Sequence, residues 1–344
     1  MMKRKLAFLL SIVLTLAIFA GCSKNDPAGD SASGDAGKKP AKRQFMTFAA
    51  PPASSAVYPY WVAVGKAIST VHPEFQITVS ESQGAVDITK RVRSGEVAVG
   101  NSVSSTDYEN YSGTGSFEGQ ANKEARMLWY HQITPEHFVV SKDSGVKSLS
   151  DLNGKKFNPG GTGTSAAAIT FSIMDILGVK PDYFEAGQSD AADAYANRQI
   201  IGTVKLGPVN DSYVMQLVAA QPINIISLSD EEIKKVNERY PYMIDFTIPA
   251  GTYQGVDEDV RTMATMQGAQ TTSKLSQEDG YKMVKAMCEE GKEIWASAYA
   301  QGADTDILEL ALKSPIPLHA GTVQYLKEKG YDVPEKLTPP EYKQ

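Results

Sequence analysis

Residues Phe157–Ala168 read F-N-P-G-G-T-G-T-S-A-A-A, with two adjacent glycines and a run of hydroxylated side chains ahead of a helix-like segment. Glycines let backbone approach a ligand closely, and N–H groups at a helix start point outward. Thr162, Gly163, Thr164 and Ser165 add hydroxyl donors and room at that start. Such an end favours an anion by about 0.3–1 kcal/mol, and by up to about 2 kcal/mol when partly buried. A phosphate-cradling P-loop is excluded, because Thr164 and Ser165 follow Gly163 and no lysine does. The dinucleotide fingerprint fails too: residue 166 is alanine, and no acidic partner stands about 20 residues on at a strand end. An ordinary N-cap with a glycine turn accounts for the same residues equally well, so both readings stand at this point.

Other reactive side chains give less. Tyr58, Tyr60 and Trp61 can wall a ligand pocket, although aromatics at a helix start more often belong to a core. In H-Q-I-T-P-E-H, His131 and His137 are six apart with Pro135 between them, whereas metal ligands on one helix face stand three or four apart. A turn at a strand end fits His131, Glu136 and His137 better than a metal site does. His319 has no acid or nucleophile at a recognisable spacing and reads as structural. A nucleophile elbow is also missing, so catalysis finds no foothold and the chain is not expected to be an enzyme or to carry a cofactor or metal.

The N-terminus bears on address. Lys3, Arg4 and Lys5 precede an apolar run of 16 residues, Leu6–Gly21, which is short for a bilayer span and normal for an export signal. It ends in F-A-G-C, which resembles a bacterial lipobox with Phe19 in the place of the usual leucine. Residues 1–21 are therefore expected to be a lipoprotein signal peptide, with Cys22 as the lipidated mature N-terminus. Residues 22–43 are rich in Gly, Ser, Ala, Lys and Asp, with no aromatic or β-branched side chain, and read as a flexible tether. Loss of Lys3, Arg4 and Lys5 takes the formal charge from −6 to −9. Nucleic acid is excluded as a partner by that acidity. Cys288, the one cysteine left, cannot form an internal disulfide and reads as a small buried hydrophobe.

About 300 residues remain, enough for two lobes. Strand patterns at Gln44–Ala50, 76–80 and 95–101 alternate with helical ones at 61–71 and 85–94, the signature of parallel βαβ units and an α/β fold. A strand at 125–130 leads to H-F-V-V-S-K, 137–142, a candidate crossover. The pattern then restarts with a strand ending at Phe157, helices at 166–177, 191–198 and 230–240, and strands at 200–207 and 223–228. A second crossover is expected at 245–253, and 268–301 is expected to be largely helical, with Tyr281, Val284, Cys288, Trp295 and Ala298 on one apolar face. The expected architecture is a two-lobed α/β clamshell, with one lobe of 44–138 plus 250–344 and the other of 139–249.

Six segments in order then carry a family resemblance: S-A-V-Y-P-Y-W-V-A-V-G-K-A-I, E-S-Q-G-A-V-D with S-G-E-V-A-V-G, Y-E-N-Y-S-G-T-G-S-F, S-L-S-D-L-N-G-K-K-F-N-P-G-G-T-G-T-S, P-A-G-T-Y-Q-G-V-D-E-D-V and P-L-H-A-G-T-V-Q-Y-L-K-E-K-G. Together they resemble the TAXI family of extracytoplasmic solute-binding proteins that serve TRAP-type transporters. The resemblance covers about residues 46–330. It implies a periplasmic-binding-protein fold of the type II kind, and a monomer that closes on a small anionic organic solute and delivers it to a TRAP-type membrane permease. Organic acids and acidic amino acids are the ligand classes it implies. By position it assigns ligand contacts to Ser54, Ser55, Tyr58 and Trp61, to Gln83 and Gly84, and to Asn101. In the second lobe it assigns them to Thr162, Gly163, Thr164, Ser165, Asn210 and Asp211, with Tyr253 at the rim. Ser55 replaces the first-loop glycine of the family, Tyr60 and Trp61 replace smaller residues, Ala85 a serine, and Ser105 a frequent aspartate. Loss of that aspartate favours a solute without an amino group. A sensing lipoprotein that presents its bound form to a receptor, or a surface adhesin, would share the same outline.

Overall fold

The computed structural model describes residues 43–344 apart from 54, 56, 163 and 304, and apart from the side chains of Ser165 and Gln301; the expected signal peptide, Cys22 and the expected tether up to residue 42 lie outside the described residues. The chain opens with β1 (Gln44–Ala50), α1 (Tyr58–Val71), β2 (Phe75–Glu81), α2 (Ala85–Ser94), β3 (Val99–Val103) and α3 (Ser104–Ser112), then β4 (Ala125–Ser141). Next come β5 (Lys156–Asn158), α4 (Ser165–Leu177), β6 (Asp182–Tyr183), α5 (Gln188–Ala196), β7 (Gly202–Leu206), α6 (Ser212–Ala220), β8 (Ile223–Ile225), α7 (Asp230–Arg239) and β9 (Ile244–Ile248). The last part holds β10 (Val260–Thr272), α8 (Gln277–Cys288), α9 (Lys292–Ala298), α10 (Ala300–Ala303), α11 (Ile307–Ala311) and α12 (Ala320–Glu328). Among the described residues no helix is long and apolar enough to cross a membrane.

Local chemistry sets many of these limits. Gly95 and Gly178 end α2 and α4 in the left-handed region, where glycine carries no Cβ penalty. Ser229 and Glu232 form a capping box on α7, whose first turn is acidic as the helix dipole favours. The strands join in the order β2-β1-β3-β10-β4-β7-β5-β6, with β8 on β4 and β9 on β10. β1 runs parallel to β2 and β3, and β5 parallel to β6 and β7, as βαβ units require.

Two strands thread both halves of the sheet. β4 pairs with β10 over Ala125–Pro135, then with β7 over Glu136–Val140 and β8 over Val139–Ser141. β10 pairs with β3 over Gln267–Gln270 and with β9 over Val260–Ala264. The stretch near 132–136 of β4 and 263–267 of β10 is therefore where one half of the sheet gives way to the other. Separate cores flank the two halves. Phe48, Trp61, Trp129 and Trp295 centre the first, and Phe138, Phe157, Ile173 and Met263 the main one of the second.

Three expectations change. The strands expected at 125–130 and 137–142 are one continuous strand, β4. Pro135 falls where β4 passes from β10 to β7, and its carbonyl accepts from Gly207 N–H just past the end of β7. The segment 245–253 is not the second crossover. β9 stays beside β10, and Tyr253 and Val256 pack with Val139, Tyr195 and Ile248 in the second half, so residues up to 259 belong there and β10 makes the return. Residues 268–272, expected to be helical, are the end of β10. That strand is buried on both faces, which removes the period-2 signature.

Candidate functional site

Strand alternation and register place a group of polar side chains on one face of the crossing. Thr134 stands opposite Thr265 across β4 and β10, and Glu136, two residues further along β4, shares their face. Phe138 and Met263 continue that face into the second core, where they pack with Ile169 and Ile173 of α4. Thr170 lies in the same buried stripe of α4. At the other end, a bulge in the β4–β10 ladder brings His131 against Tyr60, ring on ring at 4.0 Å, beside Tyr299. None of these five polar residues exceeds 5% exposure.

Their polar atoms lack partners. Both carboxylate oxygens of Glu136, the hydroxyls of Thr134, Thr170 and Thr265, and both ring nitrogens of His131 have no hydrogen-bond partner among the described residues. Burial alone pushes the Glu136 carboxyl up to about 8 and the His131 imidazole down to about 3, so both are largely uncharged at neutral pH. Native interiors pair roughly nine in ten buried polar groups. So many open atoms along one face single it out as a candidate site. Among the described residues no three His, Cys, Asp or Glu side chains converge as metal ligands.

His137, by contrast, points to the opposite face and is fully engaged. Its Nδ1 lies 3.1 Å from the carbonyls of both Pro135 and Lys205, so that nitrogen carries the proton. Its Nε2 accepts from the Tyr253 hydroxyl at 2.9 Å, and the Tyr253 oxygen accepts from Asp211 N–H at 3.2 Å. Tyr253, 1% exposed, thus holds loop to strand. Asp211 caps α6 through Tyr213 N–H and Val214 N–H, with Lys205 Nζ 3.8 Å from its other oxygen. Asn210 is exposed and left-handed beside it, a conformation asparagine tolerates.

The remaining expected contacts divide. Trp61 is wholly buried, and its indole N–H donates to Asn101 Oδ1 at 2.9 Å, which makes both a core pair. Tyr58 lines an outer groove with Phe45, Val62 and Lys66, where no second-half residue reaches. Ser55 caps the turn into α1 by accepting from Val57 N–H. Gly84 has φ 142°, a region open to glycine, and opens α2, while Gln83 N–H donates to Asp87. Thr164 caps α4: its hydroxyl donates to Gly161 O at 2.7 Å and accepts from Ala167 N–H. Thr162 is exposed, and its N–H donates to Ala186 O. Ser54, Gly163 and the side chain of Ser165 lie outside the described residues. The loop itself is held by Asn158, whose Oδ1 accepts from Gly160 N–H and the Thr203 hydroxyl.

The expected strand-end turn at His131, Glu136 and His137 is instead the middle of β4, and sequence reading assigned Thr134, Thr170 and Thr265 no place in the site. The available signal was a cluster of polar residues, H-Q-I-T-P-E, inside a strand otherwise as apolar as M-L-W-Y and F-V-V. His319 caps α12 and bonds Leu275 O, and burial pushes the Cys288 thiol up to about 12, in line with the structural roles expected of both.

A family profile described as the NMT1-like family matches residues 48–330. Among solved structures, a TctC solute-binding protein from Polaromonas, without ligand, is 16% identical, covers 77% of this chain and 90% of its own, and has a TM-score of 0.52. XAC2383 from Xanthomonas citri bound to ATP is 11% identical, covering 83% and 98%, with a TM-score of 0.49. MatC from Rhodopseudomonas palustris with bound malate is 12% identical, covering 77% and 90%, with a TM-score of 0.43. At these identities the likeness is one of fold, and the first of the three carries it.

Proposed function

The chain belongs to the NMT1-like family across residues 48–330, within the periplasmic-binding-protein superfamily, and on that footing we propose that it captures a small anionic organic solute between its lobes and delivers it to a TRAP-type permease. The observation that carries this reading is the row of buried, unpartnered polar atoms from His131 to Glu136, with Thr170 and Thr265, where the two halves meet. A solute lying on that face would be enclosed by first-half aromatics on one side and α4 on the other. Its carboxylate would take the N–H groups at the α4 start, favoured by the helix dipole. Organic acids and acidic amino acids are the class this supports.

Closure is a hinged motion about β4 and β10, driven by the solute's preference for the closed arrangement. The TAXI-like motifs support the permease assignment. The signal-like residues 1–21 and Cys22 support an exported protein held to a membrane by lipid, with 22–43 as its tether. Capture without chemistry fits a site that offers hydrogen bonds and no activated nucleophile. A thermal-shift screen of the protein against organic acids, amino acids and sulfonates tests the reading. A ligand at 100 times its dissociation constant adds about 2.7 kcal/mol, a clear rise in melting temperature. No rise with any anionic solute would contradict it.

A further inference from the structure

Among the described residues Glu136 is a buried carboxyl without a counter-charge, and the side chains grouped with it supply hydroxyl groups. Thr134 and Thr265 stand paired beside it, and Thr170, equally buried, lies on α4, whose Ile169 and Ile173 share a core with Phe138 and Met263 of that face. The charged groups on the packing elements are placed or engaged elsewhere, among them Asp107 of α3, a second buried carboxyl, which accepts from the Tyr130 hydroxyl at 3.0 Å. On β4, Arg126 is paired with Glu341, His131 stands five residues away in its neutral form, and His137 is on the other face. Lys205 of β7 stands opposite His137 and leans on Asp211. Arg261 of β10 is tied to Asp230 and Asp245, and Asp175 of α4 is exposed in its last turn.

One ionisable carboxyl among three hydroxyl oxygens matches a group that brings a positive charge and several N–H donors. We propose that Glu136, with Thr134, Thr170 and Thr265, is the subsite for a protonated amino group on the captured solute, which makes that solute an amino acid or another amino-bearing organic acid. The proposal rests on the reading of the hinge as a solute site, and it reverses the expectation drawn from Ser105. An ammonium offers three N–H donors: the Glu136 carboxylate accepts from one or two, and threonine oxygens take the rest. A simple carboxylate placed there would meet a like charge or a single acidic proton from Glu136, with only the threonine O–H groups left to donate to it. Burial keeps that proton on the empty site up to about pH 8. Arrival of the ammonium therefore releases it to solvent, leaving carboxylate and ammonium as an ion pair. One proton released on binding makes affinity rise about tenfold from pH 6 to pH 7.

The test is isothermal titration of the protein with the common amino acids and, pairwise, their 2-oxo and 2-hydroxy counterparts, at pH 6, 7 and 8 in buffers of different ionisation enthalpy. The expected result is binding by an amino compound, little by its deaminated partner, and release of close to one proton. Glu136→Gln then weakens the amino compound roughly thirtyfold or more, as loss of a buried charge partner does. Thr265→Val, nearly isosteric, weakens it about fivefold with an unchanged fold by circular dichroism. Equal binding of the deaminated partner, or unchanged affinity in both variants, overturns the amino subsite and leaves solute capture standing. Silence from amino and deaminated compounds alike overturns capture, and this subsite with it.

Discussion

Glu136 and His131 respond to pH with opposite sign, although both are buried without partners. Glu136 holds its proton in the folded chain up to about 8, against 4.5 when exposed. Across that window the folded state binds more protons than the unfolded one, so stability falls as pH rises, by about 1.4 kcal/mol per unit at most. His131 is driven down to about 3 from 6.5. Below 6.5 the unfolded state binds the extra proton, and stability falls as pH drops. Glu136→Gln should therefore raise the melting temperature of the empty protein more at pH 8 than at pH 5. His131→Phe, which keeps the stack on Tyr60, should reduce the loss between pH 6.5 and 4. Melting curves across pH check both, and parallel shifts at every pH would contradict the burial argument. Sequence exposed these two residues but not their surroundings, because a His–Glu spacing says nothing of which face of a bulged strand each occupies. The glycine loop was easier to read: Thr164 and the turn at Gly160 are the N-cap that the residue order allowed.

Helices and strands with local signatures were legible in sequence. α2 coincides with the expected 85–94, and β1 with 44–50. β10 was not, since V-R-T-M-A-T-M-Q-G-A-Q-T-T alternates weakly and contacts protein on both faces. The seam between β3 and β9 was equally invisible, because it depends on two strands far apart in sequence meeting end to end along β10. There Ser104 does the joining: its hydroxyl accepts from Met266 N–H at 3.0 Å and donates to Tyr242 O at 3.0 Å, linking α3 of the first half to the entry of β9 in the second. Ser104→Ala leaves that buried N–H and carbonyl without the bridge. It should cost about 1–3 kcal/mol in urea unfolding, and solute should bind more weakly because the junction of the two halves loses a fastening. Unchanged stability and affinity would remove Ser104 from the junction.

The molecule as a whole is one sheet bent at a pair of strands, with separate cores on each half. That arrangement explains why polar groups can gather at the bend without partners: the two cores are complete without them, and the face they share lies where the halves come together. An open groove of about 420 Å³ between α3 and α4, lined by Ser105, Ile169, Ser172 and Tyr242, runs along the same seam and is large enough for a small organic molecule. Fold class was legible from the alternation of strands and helices; the ordered motifs pointed to TAXI, whereas the profile that matches is NMT1-like. The floor of the proposed site was not legible, because it forms only when β4 and β10 pair. The most direct test is a crystal structure of the protein with the solute that the thermal screen identifies. The account predicts that solute against Thr134, Glu136 and Thr265, under Thr170 of α4. Solute bound instead in the outer groove at Tyr58 and Val62, with the hinge face untouched, would contradict it.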